Sequence, residues 1–108
     1  KITPKDAEEI NITIKKLFEN KTIKNWFSEE WEVFAEKEIL TRFGDTKIPD
    51  RVISKDNIMI VIDYKFGAKR SEHKKQVKNY MNLLQEIYPN KIISGYLLYF
   101  EEIEIIEI

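Results

Sequence analysis

The stretch Pro49–Lys65, "PDRVISKDNIMIVIDYK", decides how this chain folds. Arg51 to Ile53 is rich in strand formers, and "IMIVIDY" is a near-continuous apolar run of the kind found in a central strand covered on both faces. Asp56 and Asn57 between them form a two-residue loop, since both tolerate positive φ. With that loop Lys55 pairs with Ile58, and stepping back along both strands sets Asp50 opposite Asp63. Directly opposed residues have Cβ atoms about 4.5–5.5 Å apart. Asp63 and Lys65 are two residues apart and project from one face. The hairpin is therefore predicted to gather two carboxylates and an ammonium at one end of the sheet. A longer loop moves Asp50 along the ladder, but an even shift keeps it on the same face.

That gathering is expensive unless something offsets it. Two ionised carboxylates about 5 Å apart repel by roughly 3 kcal/mol at an effective dielectric of 20. Lys65 offsets part of this, and a divalent cation offsets more, because Mg²⁺ accepts carboxylate pairs. A third carboxylate is available from the preceding segment, where Glu36 and Glu38 share a parity and spacing does not choose between them. The alternative is a pair of strand-end charges in water, with Asp63 balanced by Lys65.

Working outward, "PKDAEEINITIKKLFEN" predicts a helix with Ile10, Ile14, Leu17 and Phe18 on one stripe and Pro4 at its start. "TIKNWFSEE" predicts a second, short helical segment with Trp26 and Phe27 as core anchors. "WEVFAEKEILTRF" alternates as a strand, and Gly44-Asp45 marks a turn after it. Gly67 ends the second hairpin strand. "SEHKKQVKNYMNLLQEIY" predicts a helix with Ser71 as N-cap and Val77, Tyr80, Met81, Leu84 and Tyr88 inward. "KIISGYLLYF" reads as a buried strand, and "IEIIEI" as an edge strand with Glu gatekeepers. The order α-α-β-β-β-α-β-β predicts a mixed sheet flanked by helices, an α/β or α+β fold.

With 108 residues, the prior is a single domain, 1–108, with one core. It starts at Lys1 rather than Met, and the expectation is a piece of a larger protein. The chain is 43% apolar and 34% charged, a globular composition rather than a disordered one. No apolar run approaches the ~20 residues of a membrane span. With no Cys, a disulfide framework and a thiolate metal site are both excluded, and a cytoplasmic location is the default expectation. Net charge is −1, so the chain as a whole is no basic nucleic-acid binder. Its charge is uneven, however. Lys65, Lys69, Arg70, Lys74, Lys75 and Lys78 are opposed locally only by Glu72, which marks one anion-facing surface or a solvated helix face.

Taken together, these residues resemble the PD-(D/E)xK nucleases, and within them the RecB-like nuclease domains of helicase–nucleases of the UvrD/Rep and AddA/RecB type. The matching elements are "FAE" with Glu36, "PDR" with Asp50, "IDYKFG" with Asp63 and Lys65, and "HKKQVKNYM" with Gln76 and Tyr80. The "DYK–G" and "Q-x-x-x-Y" combination is far more specific than PD…DxK alone. The resemblance runs from about Trp26 to the end.

The resemblance implies a restriction-endonuclease-like core and metal-dependent hydrolysis of DNA phosphodiesters. It implies that Glu36, Asp50 and Asp63, with the backbone carbonyl of Tyr64, hold Mg²⁺ or Mn²⁺. Glu36 is favoured over Glu38 by the family pattern. Lys65 would orient the attacking water or stabilise charge on the phosphorane, with Gln76 and Tyr80 in support and touching the DNA backbone. The implied setting is an exonuclease on DNA ends or single strands in recombination and repair, with a helicase domain as partner and no membrane. A non-catalytic DNA-binding or docking module and a junction resolvase are the rival readings. One departure is the absence of a His upstream of the acidic motifs. The single His, His73, lies on the face of Gln76 and Tyr80. It is read either as a phosphate or outer-shell contact or as a surface residue beside Lys74. Tyr80 likewise fits both the site and the core stripe. Lys69, Arg70, Lys74, Lys75 and Lys78 are expected to handle phosphates beside the site. Arg51 points away from Asp50 and is expected to be a structural ion-pair partner. Trp26, Trp31, Tyr96, Tyr99 and Phe100 are most simply core.

Overall fold

The computed structural model describes residues 3–34 and 49–108. The described residues form a mixed α+β fold with a five-stranded mixed sheet and three helices. In chain order these are α1 (Pro4–Glu19), α2 (Lys21–Trp26), β1 (Glu32–Val33), β2 (Arg51–Lys55), β3 (Ile58–Lys65), α3 (Ser71–Ile87), β4 (Ile92–Tyr99) and β5 (Glu104–Glu107). The order follows the sequence expectation in outline. The greater part of the strand expected over 31–43, the turn at Gly44-Asp45, and both Glu36 and Glu38 lie outside the described residues.

Sheet order equals chain order, β1-β2-β3-β4-β5, with β3 and β4 parallel and the other neighbours antiparallel. A parallel pair needs a crossover, and α3 supplies it. The hairpin register is the one the two-residue loop demands, Lys55 opposite Ile58 through to Arg51 opposite Ile62. Only Asp56 of the two loop residues takes positive φ, at 54°. At the loop end the Lys91 ammonium donates to Ser54 Oγ at 2.6 Å and to the Asp56 carbonyl at 3.1 Å. Ser54 in turn donates to the Ile58 carbonyl, so this buried hydroxyl is satisfied.

Strand parity divides the core into two halves. Val52, Met59, Val61, Leu97 and Tyr99 face α3 and meet Val77, Tyr80 and Leu84. Ile53, Ile60, Ile62 and Leu98 face the other way and meet Leu17, Ile23 and Trp26 of α1 and α2. Close approach of α3 to the sheet depends on Gly95. A Cβ there would collide with the Met81 side chain and come within 2.7 Å of Val77 Cγ1.

Local signals account for the helix ends. Thr3 and Asp6 form a reciprocal capping box at α1, with Pro4 in its first turn. Asn20 ends α1 and caps α2, its Oδ1 accepting from Thr22 and Ile23 N–H. Three expectations are corrected. Arg70, not Ser71, is the N-cap of α3, and no side chain caps that end. Phe27 is 39% exposed rather than a core anchor, because it sits at the C-cap of α2 while Ile23 and Trp26, three apart, take the inward positions. Of the α1 stripe only Leu17 is buried, and Ile10, Ile14 and Phe18 stay open to solvent. Ile10, Ile14 and Leu17 line an open groove of about 660 Å³ that Phe66 and Phe100 close on the other side. Among the described residues, no helix is long and apolar enough to cross a membrane.

Candidate functional site

The hairpin register carries Asp50 to Asp63. Asp50 immediately precedes β2, one step beyond the Arg51–Ile62 pair, and its Oδ2 accepts the Tyr64 N–H at 2.8 Å. That bond replaces the ladder bond β2 would have made and ties the carboxylate to the end of β3. Asp63 is only 3% exposed, an unusual depth for a carboxylate. The Lys65 ammonium lies 2.9 Å from Asp63 Oδ2. Among the described residues this ion pair is what compensates the buried oxygen.

From Lys65 a chain of contacts runs onto α3. Lys65 Nζ donates to Gln76 Oε1 at 2.8 Å, and Gln76 Nε2 donates to the Tyr80 hydroxyl at 3.0 Å. Gln76 and Tyr80 are one helical turn apart, which stacks them on one face. Tyr80 is 4% exposed within the core on the α3 side, and its hydroxyl accepts from Gln76.

The electrostatics follow from this packing. Asp50 is exposed along its outer side, but its carboxyl is turned against Asp63 and loses hydration. Burial, and next the hydrogen bond shared with the Asp63 carboxyl, push Asp50 up to about 6, against the pull of the Tyr64 N–H and Lys65. Burial and the Asp63 charge also push the Tyr80 phenol up.

The donor chemistry fits a hard divalent cation. Two carboxylates meet at one end of the β2–β3 hairpin, and one of them, Asp63, is buried. Lys65 O accepts from Phe100 N on the β4 side, so alternation turns the Tyr64 carbonyl toward the Asp50 side. Among the described residues no three of His, Cys, Asp and Glu are grouped to hold a metal. The first carboxylate of the resemblance, Glu36 with its alternative Glu38, lies outside the described residues.

His73 sits at the margin of this cluster. Its Nδ1 is 2.9 Å from the Tyr99 hydroxyl, so it is more than a surface neighbour of Lys74. Burial, then Lys65 and Arg70, push its pKa down. Tyr99 is core, 4% exposed, and also a polar partner of the site. That second role had no signal in the sequence, because it depends on β4 lying beside α3. Lys69 pairs with Glu104 at the start of β5 and lies 5.9 Å from the Tyr99 ring centroid. Arg70 and Lys74 are exposed at the start of α3. Among the described residues Arg51 makes structural contacts other than an ion pair. Its guanidinium donates to the Trp26 carbonyl at 3.1 Å and stacks 4.2 Å over the Phe27 ring. Trp26 is buried, while Trp31, Tyr96 and Phe100 are half-buried against the core on the α1 side.

No protein-family model matches the chain, and no curated protein matches it either.

Proposed function

We propose that this chain is a Mg²⁺- or Mn²⁺-dependent DNA nuclease domain of the RecB-like PD-(D/E)xK type, built on a restriction-endonuclease-like core. In this reading it acts on DNA ends or single strands in recombination and repair, beside a helicase domain. The observation that carries the reading is the meeting of Asp50 with the buried Asp63 carboxylate beside Lys65 at the end of β3.

Asp50, Asp63 and the Tyr64 carbonyl would hold the cation. When bound, it supplies Lewis-acid polarisation of the phosphoryl oxygen and lowers the pKa of water. The chain's own residues do the rest. Lys65 Nζ, held between Asp63 and Gln76, sets a fixed positive charge where negative charge develops on the phosphorus oxygens. Gln76 holds Lys65 from the helix side while Asp63 holds it from the strand, and the Tyr80 hydroxyl accepts from Gln76 and fixes its rotamer. The site opens at the carboxyl end of β3, where a parallel β-α-β unit leaves room for a ligand.

The test is Mn²⁺-dependent cleavage of labelled single-stranded DNA by the parent and by Asp63→Ala. The variant should melt as a folded domain and lose cleavage. Equal cutting rates would overturn the assignment. A substrate panel of single strands, blunt duplexes and four-way junctions separates the exonuclease from a resolvase, which would prefer the junction.

A further inference from the structure

Beside the catalytic cluster, on the outer side of Lys65, lies a cleft of about 500 Å³ lined by Lys65, Glu72, His73, Lys75, Gln76 and Asn79. Five of these are α3 residues at spacings of three and four, so one lateral face of the helix forms the wall. Lys65 belongs to both the cleft and the carboxylate cluster, and the two spaces share that side chain. We propose that this cleft binds a second backbone phosphate of the same nucleic-acid strand, next to the scissile one. His73 is its neutral N–H donor and Tyr99 the residue that positions His73. The proposal rests on the nuclease reading of the neighbouring site.

The wall chemistry suits a phosphodiester. Lys75 and Lys65 contribute positive charge, and Asn79 and Gln76 are amides. Arg70 stands close enough to bear on the His73 charge. Glu72 is the one opposing charge, and it limits affinity. Among the described residues His73 is held at one nitrogen. Its Nδ1 is engaged with the Tyr99 hydroxyl at 2.9 Å, which leaves Nε2 for the cleft. A neutral imidazole donates through one nitrogen and accepts through the other. In the proposed tautomer the phenol donates to Nδ1 and the proton sits on Nε2, where a phosphate oxygen would accept it. Burial, then Lys65 and Arg70, favour the uncharged ring, so in this role it contributes direction rather than charge. Tyr99 touches no substrate in this account and acts only through the ring.

Binding is measured without turnover, by fluorescence anisotropy of a labelled oligothymidylate in EDTA at low salt. His73→Ala should weaken binding about five- to tenfold. Tyr99→Phe should reproduce most of that loss, and the double variant should add nothing further, because both changes remove one donor. Glu72→Gln should tighten binding. Lys75→Ala should weaken it and lower the salt slope by about 0.7, the single-strand value per phosphate contact. His73→Gln, which restores an N–H donor, should recover part of the affinity and covers a folding defect in the alanine variant. In the cleavage assay the His73 loss should fall on KM rather than kcat. Unchanged binding in folded His73→Ala and Tyr99→Phe, additive losses in the double variant, or no oligonucleotide binding by the parent would each overturn the cleft assignment. A parent that binds through His73 but never cleaves would sink the nuclease reading and leave the cleft standing. A parent that cleaves with His73 irrelevant to binding would do the reverse.

Discussion

Replacing Asp50 with Asn removes a carboxyl that folding discourages from ionising, and the consequence is a change in how stability depends on pH. Asp50 is raised from the ordinary 3.8 to about 6, by burial and by the Asp63 carboxyl. The folded state therefore holds this proton more tightly than the unfolded chain does. Below pH 3.8 both states are protonated and nothing is lost. Between 3.8 and 6 the unfolded chain releases its proton first, so stability falls as pH rises. Above 6 the full penalty is in place. At 1.36 kcal/mol per pH unit the displacement is worth roughly 3 kcal/mol. Asp50 is open to water on its outer side, and screening reduces this to about 1–2 kcal/mol. For a domain of this size that is on the order of 5–10 °C in Tm. The assay is thermal or urea unfolding in EDTA from pH 3.5 to 7.5, parent against Asp50→Asn. The difference between the two curves should open by about 1–2 kcal/mol across the 3.8–6 window, in favour of the variant. Mn²⁺ at pH 7.5 should stabilise the parent, by about 2.7 kcal/mol at a hundred times Kd, and leave the variant nearly unmoved. Parallel pH curves would refute the reasoning, because the carboxyl would then not be buried against its partner.

Three further outcomes are expected. Gly95→Ala should cost about 1–3 kcal/mol in urea unfolding, because its methyl enters space held by Val77 and Met81 where α3 meets β4. Gln76→Leu should keep the fold and lower the cleavage rate about 10- to 100-fold, since Lys65 loses the helix-side acceptor that fixes its position. Arg51→Lys should lower stability by about 1 kcal/mol in the same unfolding assay, because lysine keeps the charge but loses the planar stack on Phe27.

How far the site could be read from sequence depended on the range of the interactions involved. The Asp50–Asp63–Lys65 cluster was legible because a two-residue turn and the period of a strand fix it locally. The same holds for Gln76 and Tyr80, one turn apart on a helix. The α3 stripe followed from periodicity, and Val77, Tyr80 and Leu84 are indeed its buried members. The Tyr99–His73 bond spans 26 residues and depends on the parallel placement of β4, which no local pattern encodes. Arg51 illustrates the same limit. Its direction was fixed by parity, but its partners, the Trp26 carbonyl and the Phe27 ring, come from α2 on the far side of the sheet. For α1, periodicity located the stripe but not its cover. Leu17 reaches the core while Ile10, Ile14 and Phe18 do not, and amphipathicity alone cannot say which apolar residues find a partner.

Two carboxyl groups that would otherwise repel are, in this account, kept together at the end of β3 to grip a doubly charged ion. Diffraction from a crystal soaked in Mn²⁺ at neutral pH tests that idea head-on. The expected result is an anomalous peak bridging the Asp50 and Asp63 oxygens at about 2.1 Å, absent in Asp63→Asn. A map with manganese only elsewhere, or with none at saturating concentration, would contradict it.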